Sequence, residues 1–85
     1  MKWYRKAAEQ GNVEALPFLG KCYFIGEGIP KDIIEAYAYF SISSITNYKS
    51  KQTINEIAQI MTPDQLASAQ KRTKELQAEL SKKGN

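Results

Sequence analysis

The segment GEGIPKD, residues 26–32, decides how this 85-residue chain folds, because it joins two stretches that each have the pattern of a helix. Gly26 and Gly28 suit the left-handed backbone that ends a helix and turns the chain. Asp32 is a typical N-cap for a helix that follows. A dinucleotide-binding loop would need a preceding strand and a third glycine where Lys31 stands. We therefore expect a turn between two helices.

Upstream of this turn, apolar residues recur at positions i, i+4, i+7 and i+8 of one helix face. These residues are Ala15, Leu19, Cys22 and Tyr23. The spacing predicts a buried stripe that includes the cysteine. Pro17 lies early in this helix, where its ring and its missing N–H disfavour a regular first turn. The helix should therefore begin late or bend at its start.

Downstream of the turn, Asp32 and Glu35 have the spacing of a capping box, and helical periodicity runs from Ile33 to about Ile45. The predicted apolar stripe of this helix is Ile33, Tyr37, Phe40 and Ser44. A polar stretch follows, and Thr53 and Glu56 then repeat the capping spacing. We expect a short third helix that begins after Thr53.

Thr62, Pro63 and Gln65 supply the N-cap, the N1 proline and the N3 partner of a last helix. Its narrow apolar stripe is Leu66, Ala69, Thr73, Leu76 and Leu80. This helix could fold back on the domain or pair with another chain. We favour folding back, because the stripe contains alanine and threonine and spans barely two heptads.

Composition excludes several classes of function. The chain has no histidine and a single cysteine, so we expect no proton shuttle near neutral pH, no internal disulfide and no cysteine-built metal site. The carboxylates near the turns are better explained by helix capping than by acid–base catalysis. The sequence therefore predicts a protein that is not an enzyme, with no catalytic residues, no metal and no cofactor.

The N-terminal sequence MKWYRKAAEQ lacks the apolar run of a signal peptide, and no stretch approaches the length of a membrane span. We therefore expect a soluble chain with no membrane partner. The cytoplasm is the favoured compartment.

Residues 7–40, AAEQGNVEALPFLGKCYFIGEGIPKDIIEAYAYF, closely resemble a Sel1-like repeat, an αα-hairpin relative of the tetratricopeptide repeat (TPR). The matching positions are AAEQGN, Ala15, Leu19, Gly20, Tyr23 and the run from GEGIPKD to Ala36. A shift by 36 residues also places Trp3 on Tyr39 and Gly11 on Asn47. The resemblance implies an all-α fold: a short αα-hairpin solenoid, a fragment of a Sel1-like or TPR-like superhelix, with C-terminal capping helices.

The resemblance divides a single domain, 1–85, into three parts. Residues 1–11 are expected to form the second helix of a partial repeat, 12–48 one Sel1-like repeat, and 49–85 the C-terminal capping helices. Within the repeat, Gly20 costs about 1 kcal/mol relative to alanine in a helix interior. We explain this cost by a close approach of the next helix through Ala36.

The resemblance, together with the absence of catalytic groups, implies a scaffold or adaptor that binds a protein or peptide partner. Pro17, Lys21 and Phe24 are spaced four and three apart, so they could share an exposed face. Trp3 and Tyr4 are further partner-binding candidates, because the first-helix partner of their segment lies outside the chain. The same N-terminal face is a candidate interface for a homodimer.

A small basic helical protein that binds nucleic acid is the alternative, since the formal net charge is +3. Its contacts would come from the lysines and arginine Lys71, Arg72, Lys74, Lys82 and Lys83, together with Lys49 and Lys51. Glu75 and Glu79 interrupt the basic run at the spacing that pairs them with Lys71 and Lys83. We therefore favour a salt-bridged solvated face and expect no nucleic-acid partner.

Overall fold

The computed structural model describes residues 6, 13–45 and 47–83, and all regular structure in these ranges is helical. A 3-10 turn at Val13–Ala15 leads into α1 (Leu16–Ile25), α2 (Ile33–Ser43), α3 (Tyr48–Ile60) and α4 (Pro63–Lys83). The predicted all-α fold is confirmed. The helix expected at 1–11 lies outside the described residues, apart from the helical Lys6.

Helix α1 begins late, as the position of Pro17 predicts. The preceding residues form the 3-10 turn, and the proline lies within the first two positions of the α-helix. A proline there removes no hydrogen bond, because the first N–H groups of a helix have no partner within it. Of the predicted stripe, Ala15 and Leu19 are buried, whereas Cys22 and Tyr23 are only half-buried. The prediction that Cys22 is a core residue is therefore wrong, because its position lies at the edge of the buried face.

The segment 26–32 ends α1 and begins α2 in the predicted manner. Gly26 has a φ of 77° and Gly28 a φ of 79°. The N–H of Gly26 donates to the carbonyl oxygen of Cys22 at 2.8 Å, which closes the end of α1. The carboxylate of Asp32 accepts two backbone N–H groups in the first turn of α2, at 3.1 and 3.2 Å. The turn between two helices is confirmed.

Replacing Gly26 with valine should lower the free energy of unfolding by more than about 1 kcal/mol, because a β-branched residue is strained at positive φ. An added Cβ would also come within 3.3 Å of the Cβ of Lys31. Gly26→Asn is the matched control and should lose less, since asparagine tolerates the left-handed conformation. Urea unfolding followed by circular dichroism measures both. Equal losses for the two variants would contradict the role of the positive φ.

Helix α2 is central, because α1, α3 and α4 all pack against it. It is therefore buried on more than one face. Its buried residues are Ala36, Ala38, Tyr39, Phe40 and Ser43. Of the stripe predicted for this helix, Phe40 is buried, and Ile33, Tyr37 and Ser44 are half-buried. The prediction was too narrow, because one stripe of helical period describes contact with one neighbour and α2 has three.

One hydrophobic cluster joins α4 to the start of the described repeat. Its buried members are Ala15, Leu16, Leu19, Ala38, Tyr39 and Leu76. Tyr23 packs against the cluster and stacks on Tyr39, with ring centroids 5.5 Å apart and an interplanar angle of 10°. Leu80 also packs against it. The predicted folding back of the last helix is confirmed.

Gly20 lies at a close contact between α1 and α2. A Cβ added at this glycine would come within 2.8 Å of a ring carbon of Phe40. The close approach predicted from the sequence is present, but the nearest neighbour is Phe40, one turn beyond the expected Ala36. The glycine leaves room for an aromatic ring.

Helix α3 begins more than one turn before the predicted start. The side chain of Asn47 caps it by accepting the backbone N–H groups of Lys49 at 2.9 Å and Ser50 at 3.4 Å. Thr53, the predicted N-cap, instead donates its hydroxyl to the carbonyl oxygen of Lys49 at 2.9 Å. The prediction at Thr53 is wrong because the hydroxyl of Ser50 forms a buried hydrogen bond of 2.8 Å with Ser43, which holds the first turn of α3 against α2.

Helix α4 begins with the predicted capping box. The backbone N–H of Thr62 donates to the side-chain oxygen of Gln65 at 3.0 Å, and the backbone N–H of Gln65 donates to the Thr62 hydroxyl at 3.1 Å. Pro63 is the first helical residue. The predicted helix start is confirmed.

Candidate partner-binding groove

A groove of about 610 Å³ lies between α1 and α3, and we call it the α1–α3 groove. Both helices pack against α2, which contributes Phe40 to the lining. The ring that excludes a side chain at Gly20 thus also borders the groove. The fold creates this groove by placing two helices side by side on a shared third one.

The α1 wall contains Pro17, Lys21 and Phe24, the three partner-binding candidates whose spacing predicts a common face. The structure brings them together in one lining. Phe18 and Ile25 complete this wall, and they are 50% and 52% exposed. The spacing of four and three residues did not predict Phe18 and Ile25, because each lies one position beyond a residue of the predicted face.

The α3 wall was not predicted from the sequence. It consists of Thr53, Glu56, Ile57 and Ile60. Ile57 is buried, whereas Ile60 is 63% exposed. A signal for this wall does exist, since the shift by 36 residues places Pro17, Lys21 and Phe24 on Thr53, Ile57 and Ile60. The two walls therefore use equivalent positions of successive helix pairs.

The charges of the groove are opposite on its two walls. Lys21 is exposed on the α1 wall, and Glu56 is exposed on the α3 wall. Among the described residues, neither of them lies within 4 Å of an oppositely charged group. Both charges are therefore available to a bound molecule.

Trp3 and Tyr4, the other partner-binding candidates, lie outside the described residues. The homodimer interface predicted on the same N-terminal face therefore stays a prediction. The large hydrophobic residues that are exposed away from the groove, among those described, are Ile45 and Tyr48, which are 70% and 73% exposed. They lie at the connection between α2 and α3.

Arg72, a candidate nucleic-acid contact, is held by carboxylates. Its guanidinium pairs with Glu35 of α2 and with Glu79 at 2.7 Å, and it lies 3.8 Å from Glu75. The hydrogen bond to Glu35 raises the pKa of Arg72 above its ordinary value. The predicted pairing of Glu75 with Lys71 is wrong. The Arg72 guanidinium instead forms ion pairs with both glutamates of α4 and with Glu35 of α2.

The other described basic candidates lie on two helices. Lys71 and Lys74 are exposed on α4, and Lys49 and Lys51 are exposed on α3. The side chains of Lys82 and Lys83 lie outside the described part of the chain.

The described ranges contain neither a membrane-spanning helix nor a cluster of metal-binding side chains. Among them, none of the helices has the length and apolar character that crossing a membrane requires. The described residues also contain no group of three or more acidic, histidine or cysteine side chains that could hold a metal ion.

Known proteins share both this sequence pattern and this architecture. An uncharacterized Sel1-like repeat-containing protein of Schizosaccharomyces pombe is 40% identical over 42 residues, which is 49% of this chain and 6% of that protein. A similar solved structure is the crystal structure of c5321, a protective antigen with an SLR fold that is present in uropathogenic Escherichia coli strains. Its sequence is 30% identical to that of this chain, and the two structures superpose with a TM-score of 0.87. The structural match covers 96% of this chain and 18% of that one.

The chain thus spans a small part of each of these relatives. The structural match is long enough to include the helices after residue 44, where the family model stops. The model of the Sel1 repeat matches residues 1–12 and 13–44, more than half of the sequence. The chain belongs to the Sel1 repeat family.

Proposed function

We propose that this chain is a protein-interaction module and that the α1–α3 groove binds a segment of a partner protein. One observation carries the proposal: three large apolar side chains, Phe18, Ile25 and Ile60, are half-exposed or more around a single groove of about 610 Å³. Contiguous exposed apolar surface of this kind typically marks a binding site. Repeats of this family are generally protein-interaction modules, which supports the same function.

We propose a non-catalytic role of the scaffold or adaptor type. The ionisable side chains that line the groove are Lys21 and Glu56. The hydroxyl of Thr53 donates to a backbone carbonyl oxygen instead of contacting a base. The described lining therefore has no activated nucleophile, and its apolar surface suits binding better than chemistry.

Nucleic-acid binding is not favoured by this geometry. Arginine is the side chain best suited to bidentate phosphate contact, but the guanidinium of Arg72 is engaged by Glu35, Glu75 and Glu79. A phosphate would have to displace the carboxylates of Glu35 and Glu79, which accept hydrogen bonds from this guanidinium. The capping role of α3 and α4 and the homodimer through Trp3 and Tyr4 stay proposals from the sequence.

Photo-crosslinking tests the proposed function. We expect benzoylphenylalanine in place of Phe18, introduced in cells that express the chain, to give a discrete polypeptide adduct. The same residue in place of Tyr48, which is more exposed but outside the groove lining, is the matched control and should give no such adduct. Adducts of equal intensity at both positions, or adducts with nucleic acid alone, would contradict the proposal.

A further inference from the structure

We infer that the α1–α3 groove binds an amphipathic α-helix of its partner, with apolar side chains along one face, an acidic residue on one flank of that face and a basic residue on the other. This inference rests on the proposed function and names the shape and chemistry of the ligand. Hydrogen bonding, the pattern of the walls and charge each support it.

Hydrogen bonding disfavours an extended segment. An extended backbone that is buried without partners for its N–H and C=O groups loses free energy for each of them. Both walls are α-helices, whose N–H and C=O groups are bonded within the helix except in the first turn of α1 and the last turn of α3, so a segment lying along the groove finds few backbone partners. Among the lining side chains only Lys21, Thr53 and Glu56 have hydrogen-bonding atoms, and the Thr53 hydroxyl already donates to a carbonyl oxygen. A helical ligand avoids this loss because its backbone is satisfied internally.

The pattern of the walls matches a helix. Each wall presents its stripe over two helical turns, residues 17–24 on α1 and 53–60 on α3. At 1.5 Å per residue these stripes are about 10 Å long. A helix laid along them would offer apolar side chains at i, i+4 and i+7 over the same length, which is the spacing that packs side-chain ridges into the grooves of a neighbouring helix.

Charge specifies the flanks of the ligand. A bound helix with its apolar face toward Phe40 turns one flank toward Lys21 and the other toward Glu56. Two acidic flanks, or two basic ones, would each meet one like charge. A helix with one acidic and one basic flank places each flank against the opposite charge in only one of its two possible directions. The two charges therefore also select the direction of the bound helix.

The test uses synthetic helix-stapled peptides of about 15 residues, the length at which isolated helices become marginally stable. Three carry leucine at i, i+4, i+7 and i+11 and differ only in their flanks: glutamate on one side and lysine on the other, glutamate on both, or lysine on both. A fourth, unstapled peptide has the composition of the mixed one, with leucine at alternate positions so that it favours an extended strand. Fluorescence anisotropy with the full chain gives each Kd. We expect the mixed helical probe to bind most tightly and the alternating probe about tenfold more weakly.

Two isoleucines provide a matched pair of variants. Ile60→Asp should weaken binding of the mixed helical probe about tenfold, because it places a charge in the apolar lining. Ile45→Asp changes an equally exposed isoleucine outside the lining and should leave the Kd unchanged. Circular dichroism of both variants verifies that the fold is retained. Equal losses of affinity would overturn the location of the site.

Charge reversal tests the flanks. In Lys21→Glu both walls are acidic, so the lysine-flanked probe should become the tightest, by about threefold, as expected for exposed ion pairs. In Glu56→Lys the glutamate-flanked probe should become the tightest. An order of the three helical probes that is the same in all three proteins would overturn the inferred flanks.

Failure of this inference is distinguishable from failure of the proposed function. If the alternating probe binds as tightly as the helical ones and Ile60→Asp weakens all of them, the groove binds extended segments and the helical ligand is wrong, although the proposed function stands. An adduct at position 18 that proves to be a second copy of this chain, with no binding of any helical probe, would also overturn the helical ligand.

Discussion

Replacing Leu76 with alanine should lower the free energy of unfolding by about 3 kcal/mol, the typical loss for a leucine truncated in a well-packed core. Leu76 is 3% exposed and belongs to the same buried cluster as Leu16 and Leu19 of α1. The truncation removes apolar contacts and leaves a cavity between α4 and the rest of the domain. Because this cluster joins the two ends of the described chain, the loss should affect the whole fold.

Urea unfolding followed by circular dichroism measures this loss. The transition should move to lower urea as a single step with an unchanged m value, because the surface exposed on unfolding stays the same. Lys74→Ala, an exposed change on the same helix, is the control and should alter the free energy by less than about 0.5 kcal/mol. A biphasic transition in which α4 separates first would contradict a shared core.

Local signals in the sequence were sufficient for most helix ends. Asp32 and Thr62 cap their helices through hydrogen bonds to residues two or three positions away. The left-handed conformation at Gly26 likewise follows from the absence of a Cβ. A short sequence window contains both partners of such interactions, so these features could be predicted.

Other features depend on contacts that no local window contains. Asn47 and Thr53 both have the chemistry of an N-cap, and the choice between them is favoured by the contact of Ser50 with Ser43 on the preceding helix. Arg72 pairs with Glu35, 37 residues away, so its spacing to the nearer glutamates could not reveal that contact. Sequence periodicity also missed the several buried faces of α2, since those depend on how many helices pack around it.

The candidate site likewise has one part that the sequence predicts and one part that depends on tertiary contacts. The face that contains Pro17, Lys21 and Phe24 follows from their spacing along one helix. The opposite wall could not be predicted in this way, because it forms only when two helix pairs stack. Its residues Ile57 and Ile60 also lie on a helix whose start was mispredicted. Their equivalence under the 36-residue shift is visible in the sequence, but the residue types change from lysine and phenylalanine to isoleucine.

Replacing Gly20 with valine should lower the free energy of unfolding by about 3 kcal/mol, at the upper end of the range for overpacking. Valine is the better helix former of the two, so helix propensity alone predicts a small gain. The loss arises because a Cβ at this position would come within 2.8 Å of the ring of Phe40, which is itself 7% exposed. Urea unfolding measures the change, and Lys21→Val, an exposed change at the next residue, shows what a valine costs in this part of α1 without the contact to Phe40.

A second substitution identifies the cause of that loss. In a Phe40→Ala background the ring is gone, so the cost of Gly20→Val should fall below about 1 kcal/mol, although Phe40→Ala is destabilising by itself. The two residues are in contact, and a coupling of about 2 kcal/mol is within the range for such pairs. Additive losses would contradict the ring as the cause of the loss at position 20, since Phe40 supplies the nearest atoms to an added Cβ.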